Sequence, residues 1–163
     1  MIPAHVKDAD ALRACIKSVR KYFKNARKIF VVSSGRFLTE EEERKDDVIY
    51  FDESYYPFNV SGILSLMPSA CSCGSARQRQ GSQGGWLLQQ LLKLYAPIVL
   101  PGVLPDVVVV DADTVWFKPV SFFKTVNGSD MALYAYDTKN LDELYWMHAW
   151  AAAPGLRRVL RHK

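Results

Sequence analysis

The chain is predicted to be an α/β protein with a mostly parallel sheet flanked by helices. Two observations predict this. Short apolar runs alternate with segments of helical periodicity along the first hundred residues, and the longest β-branched run, Val107 to Val110, ends in two carboxylates, Asp111 and Asp113. Strands that alternate with helices favour parallel pairing with helices packed on the sheet. Ligands of such sheets bind outside the carboxyl ends of the strands, so the second observation also marks where chemistry is expected. With 163 residues, 49% of them hydrophobic and 23% charged, the chain can bury one substantial core, and a single domain over residues 1–163 is expected.

Taken in order, Leu12, Cys15, Ile16, Val19 and Phe23 recur at helical spacing, with Lys17, Arg20 and Lys24 elsewhere on the surface, so residues 8–24 should be a helix. Asp8 stands where a helix N-cap is expected. Lys28 to Ser33 is an apolar run closed by Ser34-Gly35, the pattern of a buried strand. Thr39 to Lys45, with Glu40 to Glu43, reads as a polar helical turn before a strand at Val48 to Phe51. Residues 57–83 lose all periodicity and are expected to be a loop or insertion: a lid, an inserted segment or retained non-coding sequence. Gly85 to Ala96 then reads as an amphipathic helix with an apolar stripe of Leu87, Leu91 and Leu94 and with Trp86 as a core anchor. Val107 to Val110 and Met131 to Tyr136 are expected strands, and Leu141 to Ala152 and Leu156 to Arg161 expected helices.

Several function classes are set aside by composition. The formal charge of +4 is spread over separate clusters without interleaved aromatics or zinc-module spacing, which argues against a nucleic-acid partner. Cys71-Ser72-Cys73 is too tight for a zinc knuckle, and Cys15 sits where a small core residue belongs. Asn59-Val60-Ser61 and Asn127-Gly128-Ser129 match a glycosylation tripeptide that is common by chance. No run of 18 apolar residues is present, so no transmembrane segment is expected, and the N-terminus lacks a secretory pattern. A soluble domain follows, cytoplasmic, or lumenal in a Golgi-type compartment if an N-terminal anchor precedes it.

Side chains two apart on an extended strand point the same way. Asp111 and Asp113 can therefore offer oxygen ligands to one hard cation, Mn2+ or Mg2+, which leaves room for substrate phosphate. The plainer alternative is a strand that ends in solvated turn residues. Gln89 and Lys93, four apart, share a helix face, which on spacing alone reads as a solvated one.

The combination G-W-x-x-Q-Q-x-x-K-L at 85–94, an apolar strand and D-x-D-T at 111–114 resembles a family of glycosyltransferases catalogued as a domain of unknown function. That family has the GT-A, or nucleotide-diphospho-sugar transferase, fold. Ile2 to Asp8 is similar to its P-x-H-x-K-D start and Val48 to Glu53 to its third strand, so the resemblance spans residues 2 to about 150. It implies a GT-A-like, Rossmann-like sheet, incomplete at both ends, in a fragment that carries the donor-binding half. It also implies a nucleoside-diphosphate sugar donor and a glycan, protein or lipid acceptor. Asp113 would be the main metal ligand, and Asp111 would contact the ribose or reach the metal through water. His5, Lys7, Asp8 and Asp52 would hold the nucleoside, and Gln89 and Lys93 the phosphates or sugar. An acceptor-activating base would lie downstream, with Asp137, Glu143 and His148 as visible candidates. Two rivals stand beside it. One is a nucleotide-sugar binder without transfer. The other is a haloacid-dehalogenase-type phosphatase, which Thr114 opposes by following Asp113 directly where that motif requires one more residue.

Overall fold

The computed structural model describes residues 1–24, 26–66, 74–104 and 106–132, which fall into two compact units, Met1–Ser121 and Phe122–Lys163. In the first unit a three-stranded parallel sheet has the order β1 (Ile2–Pro3), β2 (Ile29–Ser33), β3 (Val48–Asp52). All five residues of β2 are buried, as expected for a strand covered on both faces.

The valine run extends this sheet. The Met1 amino group donates to the Val108 carbonyl at 2.8 Å and the Val110 N–H donates to the Met1 carbonyl at 3.0 Å. Those two bonds are the pattern of a parallel bridge centred on Val109, on the edge of β1 opposite β2. Residues 108–110 therefore lie as an extended strip beside β1, without a strand assignment of their own among the described residues. The spatial order is 108–110, β1, β2, β3. Among the described residues no strand pairs with the outer side of the strip, and Val109 is 37% exposed.

Successive strand side chains face opposite ways, and two helices cover the two faces. Helix α1 (Ala9–Tyr22) sets Leu12, Cys15, Ile16 and Val19 against Ile2, Ile29, Val31, Val48 and Val110. Helix α4 (Gly74–Val99) sets Leu92 and Ala96 against Met1, Phe30 and Val32. Between β2 and β3 lies α2 (Glu40–Lys45), started by a capping box in which the Thr39 hydroxyl accepts from Glu42 N–H and the Glu42 carboxylate accepts from Thr39 N–H.

The segment read as a loop is in part helical. Helix α3 (Val60–Leu66) begins at Asn59, whose Oδ1 accepts from the Gly62 N–H at 2.8 Å, and α4 starts at Gly74, eleven residues earlier than the periodicity at Gly85 indicates. Gly84 lets α3 and α4 close on each other, since a Cβ there would stand 2.6 Å from Leu64 Cδ2. The aromatic chain Phe51, Tyr56, Phe58 and Tyr95 fills the space beside them, with ring centroids 5.1–6.1 Å apart.

In the second unit the described residues form an antiparallel hairpin, β4 (Phe123–Val126) with β5 (Ser129–Ala132). Its two-residue turn, Asn127-Gly128, has both residues at positive φ, the backbone that an Asn-Gly pair supplies in hairpins. The expected strand Met131 to Tyr136 overlaps β5 at its first two residues. Its remainder lies outside the described residues, as do both expected C-terminal helices and Asp137, Glu143 and His148.

Candidate functional site

Because all four strips run parallel, their carboxyl ends share one edge, where the chain delivers His5 after β1, Ser33 at the end of β2, Asp52 at the end of β3 and Asp111 after the valine strip. The strand order reverses between β1 and that strip: β1 leads outward to β2 and β3, and the chain then returns through α3 and α4 to the other side of β1. Such a reversal opens a crevice between the two diverging loops, the usual binding position in open α/β sheets.

Asp111 stands on one wall of that position. Its carbonyl accepts from the Thr114 N–H at 3.0 Å, which bends the chain out of the sheet. Ala112 is buried in the α1 core, so the two carboxylates that flank it are left at the exposed surface. Cys15 lies beneath, with its thiol 3.6 Å from the Asp111 carbonyl. Burial first and the Asp113 carboxylate second, with Asp111 adding to them, push that thiol up to about 11. Cys15 is thus a neutral floor to the site, as a small core residue would be.

Helix α4 supplies the cation. Leu88, Leu92, Ala96 and Leu100 recur every four residues and face the core, which leaves Lys93 at the flank of the buried stripe. Its ammonium lies 2.6 Å from Asp111 Oδ1, with the Lys93 side chain 19% and the Asp111 side chain 50% exposed. Two residues expected separately at the site are therefore brought into contact. Gln89 is half-buried one turn earlier on the same side of the helix. The stripe of Leu87, Leu91 and Leu94 is corrected: Leu94 is 70% exposed and Leu92 3%. Trp86 is corrected as well, being 59% exposed and no core anchor. Both errors have one cause, since five of the eight residues from 87 to 94 are leucine, which puts apolar side chains on more than one side of the helix.

The other wall is the loop after β1. His5 and Lys7 are exposed, and His5 Nδ1 accepts weakly from the Lys7 N–H at 3.4 Å. Asp8 takes the N-cap position of α1 but makes no side-chain cap bond. Farther along the edge, Asp52 accepts from the Ser54 N–H at 2.8 Å, and that bond holds its carboxyl below the ordinary range. Glu53, which sequence reasoning did not single out, joins this end. Burial first, then the Asp52 charge, raise its carboxyl, while His5 acts in the opposite direction. Its signal was available, as the residue after a strand-ending aspartate in a chain where strand ends matter.

Two exposed carboxylates, Asp111 and Asp113, stand at this edge. Among the described residues, no group of three or more His, Cys, Asp or Glu side chains could hold a metal. Mg2+ typically takes one or two carboxylates and completes its shell with substrate phosphate and water. Asp113, exposed and without an ion pair among the described residues, fits that role. Asp111 has one oxygen already engaged by Lys93. A cavity of about 180 Å³ lies elsewhere, between α1 and α2, lined by Arg13, Lys17, Glu42 and Lys45 among others. No helix among the described residues is long and apolar enough to cross a membrane. No protein-family model, curated protein or solved structure matches the chain.

Proposed function

We propose that the chain is a metal-assisted glycosyltransferase with a GT-A-like sheet, which takes a nucleoside-diphosphate sugar as donor and a glycan, protein or lipid as acceptor. The observation that carries this reading is the meeting of Lys93 and Asp111 at the carboxyl edge, beside Asp113 and at the reversal of strand order. A cation and paired carboxylates at that position are the groups a diphosphate and its metal require. The edge also has the right extent. At ordinary strand spacing the end of β3 lies about 14 Å from the valine strip, so a ligand with its nucleoside near Asp52 and His5 would bring its phosphates to Lys93.

In this reading the Lys93 ammonium neutralises part of the diphosphate charge as the sugar leaves. Lysine suits that work as a compact point charge with several donors. Asp113 holds the divalent metal, which when bound stabilises charge that builds on the leaving phosphate. Gln89 orients the donor from the same helix face. His5 and Lys7 offer ring and ammonium groups to the nucleoside from the opposite loop.

Titration calorimetry of the protein with UDP-glucose, UDP-N-acetylglucosamine and GDP-mannose, each with Mn2+ and with EDTA, tests it. Metal-dependent binding of one donor is expected, together with slow hydrolysis of that donor. Binding without any turnover would leave a nucleotide-sugar binder. Absence of binding to a wide set of sugar nucleotides, with or without metal, would reject the proposal.

A further inference from the structure

We infer that the two aspartates of the D-x-D divide their work: Asp113 serves the metal, while Asp111 is a positioning residue that holds the Lys93 ammonium toward the donor's diphosphate. This rests on the donor-binding reading above and sharpens it. Three observations carry it. The Lys93–Asp111 contact is short, 2.6 Å, and the lysine side chain is four-fifths buried, so the ammonium is fixed at the edge and does not sweep through solvent. Asp111 is itself anchored, because its carbonyl accepts from Thr114 and it is flanked by the buried Ala112. An ammonium has three donors, and Asp111 is its one ion-pair partner among the described residues, so two N–H groups remain for phosphate oxygens. Among the described residues Asp113 has no such cation, which leaves both of its oxygens for a metal.

The physical consequence is a difference in metal dependence. A metal that ligated Asp111 directly would have to use the oxygen that the ammonium leaves free and would sit beside that partly desolvated charge. A metal on Asp113 would not. Removing Asp111 should therefore act like removing Lys93, and unlike removing Asp113.

The experiment measures binding of UDP, GDP, ADP and dTDP to the wild type and to Lys93→Met, Lys93→Arg, Asp111→Asn, Lys93→Met/Asp111→Asn and Asp113→Asn, in EDTA and in Mn2+. Thermal melts establish that each variant is folded. For the nucleotide that binds, Lys93→Met and Asp111→Asn should each weaken affinity in EDTA by roughly tenfold or more, the scale of a lost charge-assisted hydrogen bond. The double variant should be no weaker than either single one, and Lys93→Arg, which keeps a cation beside Asp111, should recover most of the loss. Addition of Mn2+ should still strengthen binding to Asp111→Asn and should give Asp113→Asn no gain. If Asp111→Asn loses the Mn2+ gain as Asp113→Asn does, Asp111 is a metal ligand; if the two single losses in EDTA add in the double variant, Asp111 does not act through Lys93; either result overturns the division. If the wild type binds none of the four nucleotides in either condition, donor binding itself fails and this inference falls with it. Direct Mn2+ titration followed by electron paramagnetic resonance gives a readout independent of nucleotide, with Asp113→Asn expected to lose metal and Asp111→Asn to retain it.

Discussion

Helices α1 and α4 cover opposite faces of the same sheet, yet they use charge in contrasting ways. Helix α1 is rich in cations, and its arginines tie the fold together. Arg13 donates to Glu42 at 2.7 Å and to the Phe37 carbonyl at 3.1 Å, while Arg20 donates to the carbonyls of Ala26 and Asp47 at 2.9 and 2.7 Å. Its lysines, Lys17 and Lys21, are exposed. From Gly84 to Val99, α4 has one charged residue, Lys93, and that residue reaches Asp111. Charge on a crowded basic helix is spent on solvation and on capping neighbouring loops. A single charge on an otherwise uncharged stretch of helix, at the flank of its buried stripe, is held in place by one partner, Asp111.

The largest expected effect tests which side of α4 is core. Leu92→Ala should lower unfolding free energy by about 2–5 kcal/mol, the range for a buried leucine, whereas Leu94→Ala should cost under about 0.5 kcal/mol as a surface change. Chemical denaturation of both variants checks this. Equal losses would mean that α4 is buried on both sides.

Next comes the functional contrast. Lys93→Met, which keeps an apolar stem, should weaken donor binding by about 1.5–3 kcal/mol with little change in melting temperature. Arg20→Met should do the reverse, lowering stability by about 1–3 kcal/mol because loop carbonyls lose a buried donor, without altering donor affinity. Calorimetric titration and thermal melts of both variants would break the comparison if the two losses exchanged places.

A smaller effect is electrostatic. The hydrogen bond from Arg13, aided by Thr39, holds Glu42 down at about 2, against an ordinary 4.5. A lowered carboxyl pKa adds stability that is complete above pH 4.5, declines as the folded protein begins to hold back from protonation that the unfolded chain accepts, and is gone below about 2. The melting temperature should fall as pH drops through that window, and Glu42→Gln should flatten the fall. The pair is solvent-facing, so high salt should flatten it too.

The first sixty residues were legible because β2 and β3 are bounded by turn residues, α1 carries a single apolar stripe and α2 is a run of charged helix formers. Thr39 with Glu42 is a readable capping box, and Leu12, Cys15, Ile16 and Val19 leave one choice of buried side. Legibility ended where composition was uniform or mixed. The leucine-rich stretch at 87–94 fits two stripes equally well, and burial against Phe30 and Val32 decided for Leu88 and Leu92. In the stretch at 57–83, Asn59 is a helix-starting residue that glycine, serine and arginine content concealed. The Asn127-Gly128 turn was passed over as a chance glycosylation tripeptide, although it is a strong hairpin signal. At the site, strand-end position and helical spacing were enough to name Asp111 and Lys93. Their contact was not readable, since it depends on the rotation of α4 about its axis, which only packing sets.

The bonds between Met1 and the valine strip join residues 107 and 109 positions apart. Contacts of such long sequence separation form late, because the loop they close is entropically costly until the intervening elements have packed. Helix α1 and strands β2 and β3 can assemble from the first half of the chain, but the strip that carries Asp111 has no place to dock until β1 is held in register. The carboxylate edge is therefore the last part of this unit to be completed, during synthesis as well as in refolding. A chain that stops short of Asp111 would have strands β2 and β3 and helix α1 but no carboxylate edge, so the proposed donor binding would depend on the docking of the valine strip.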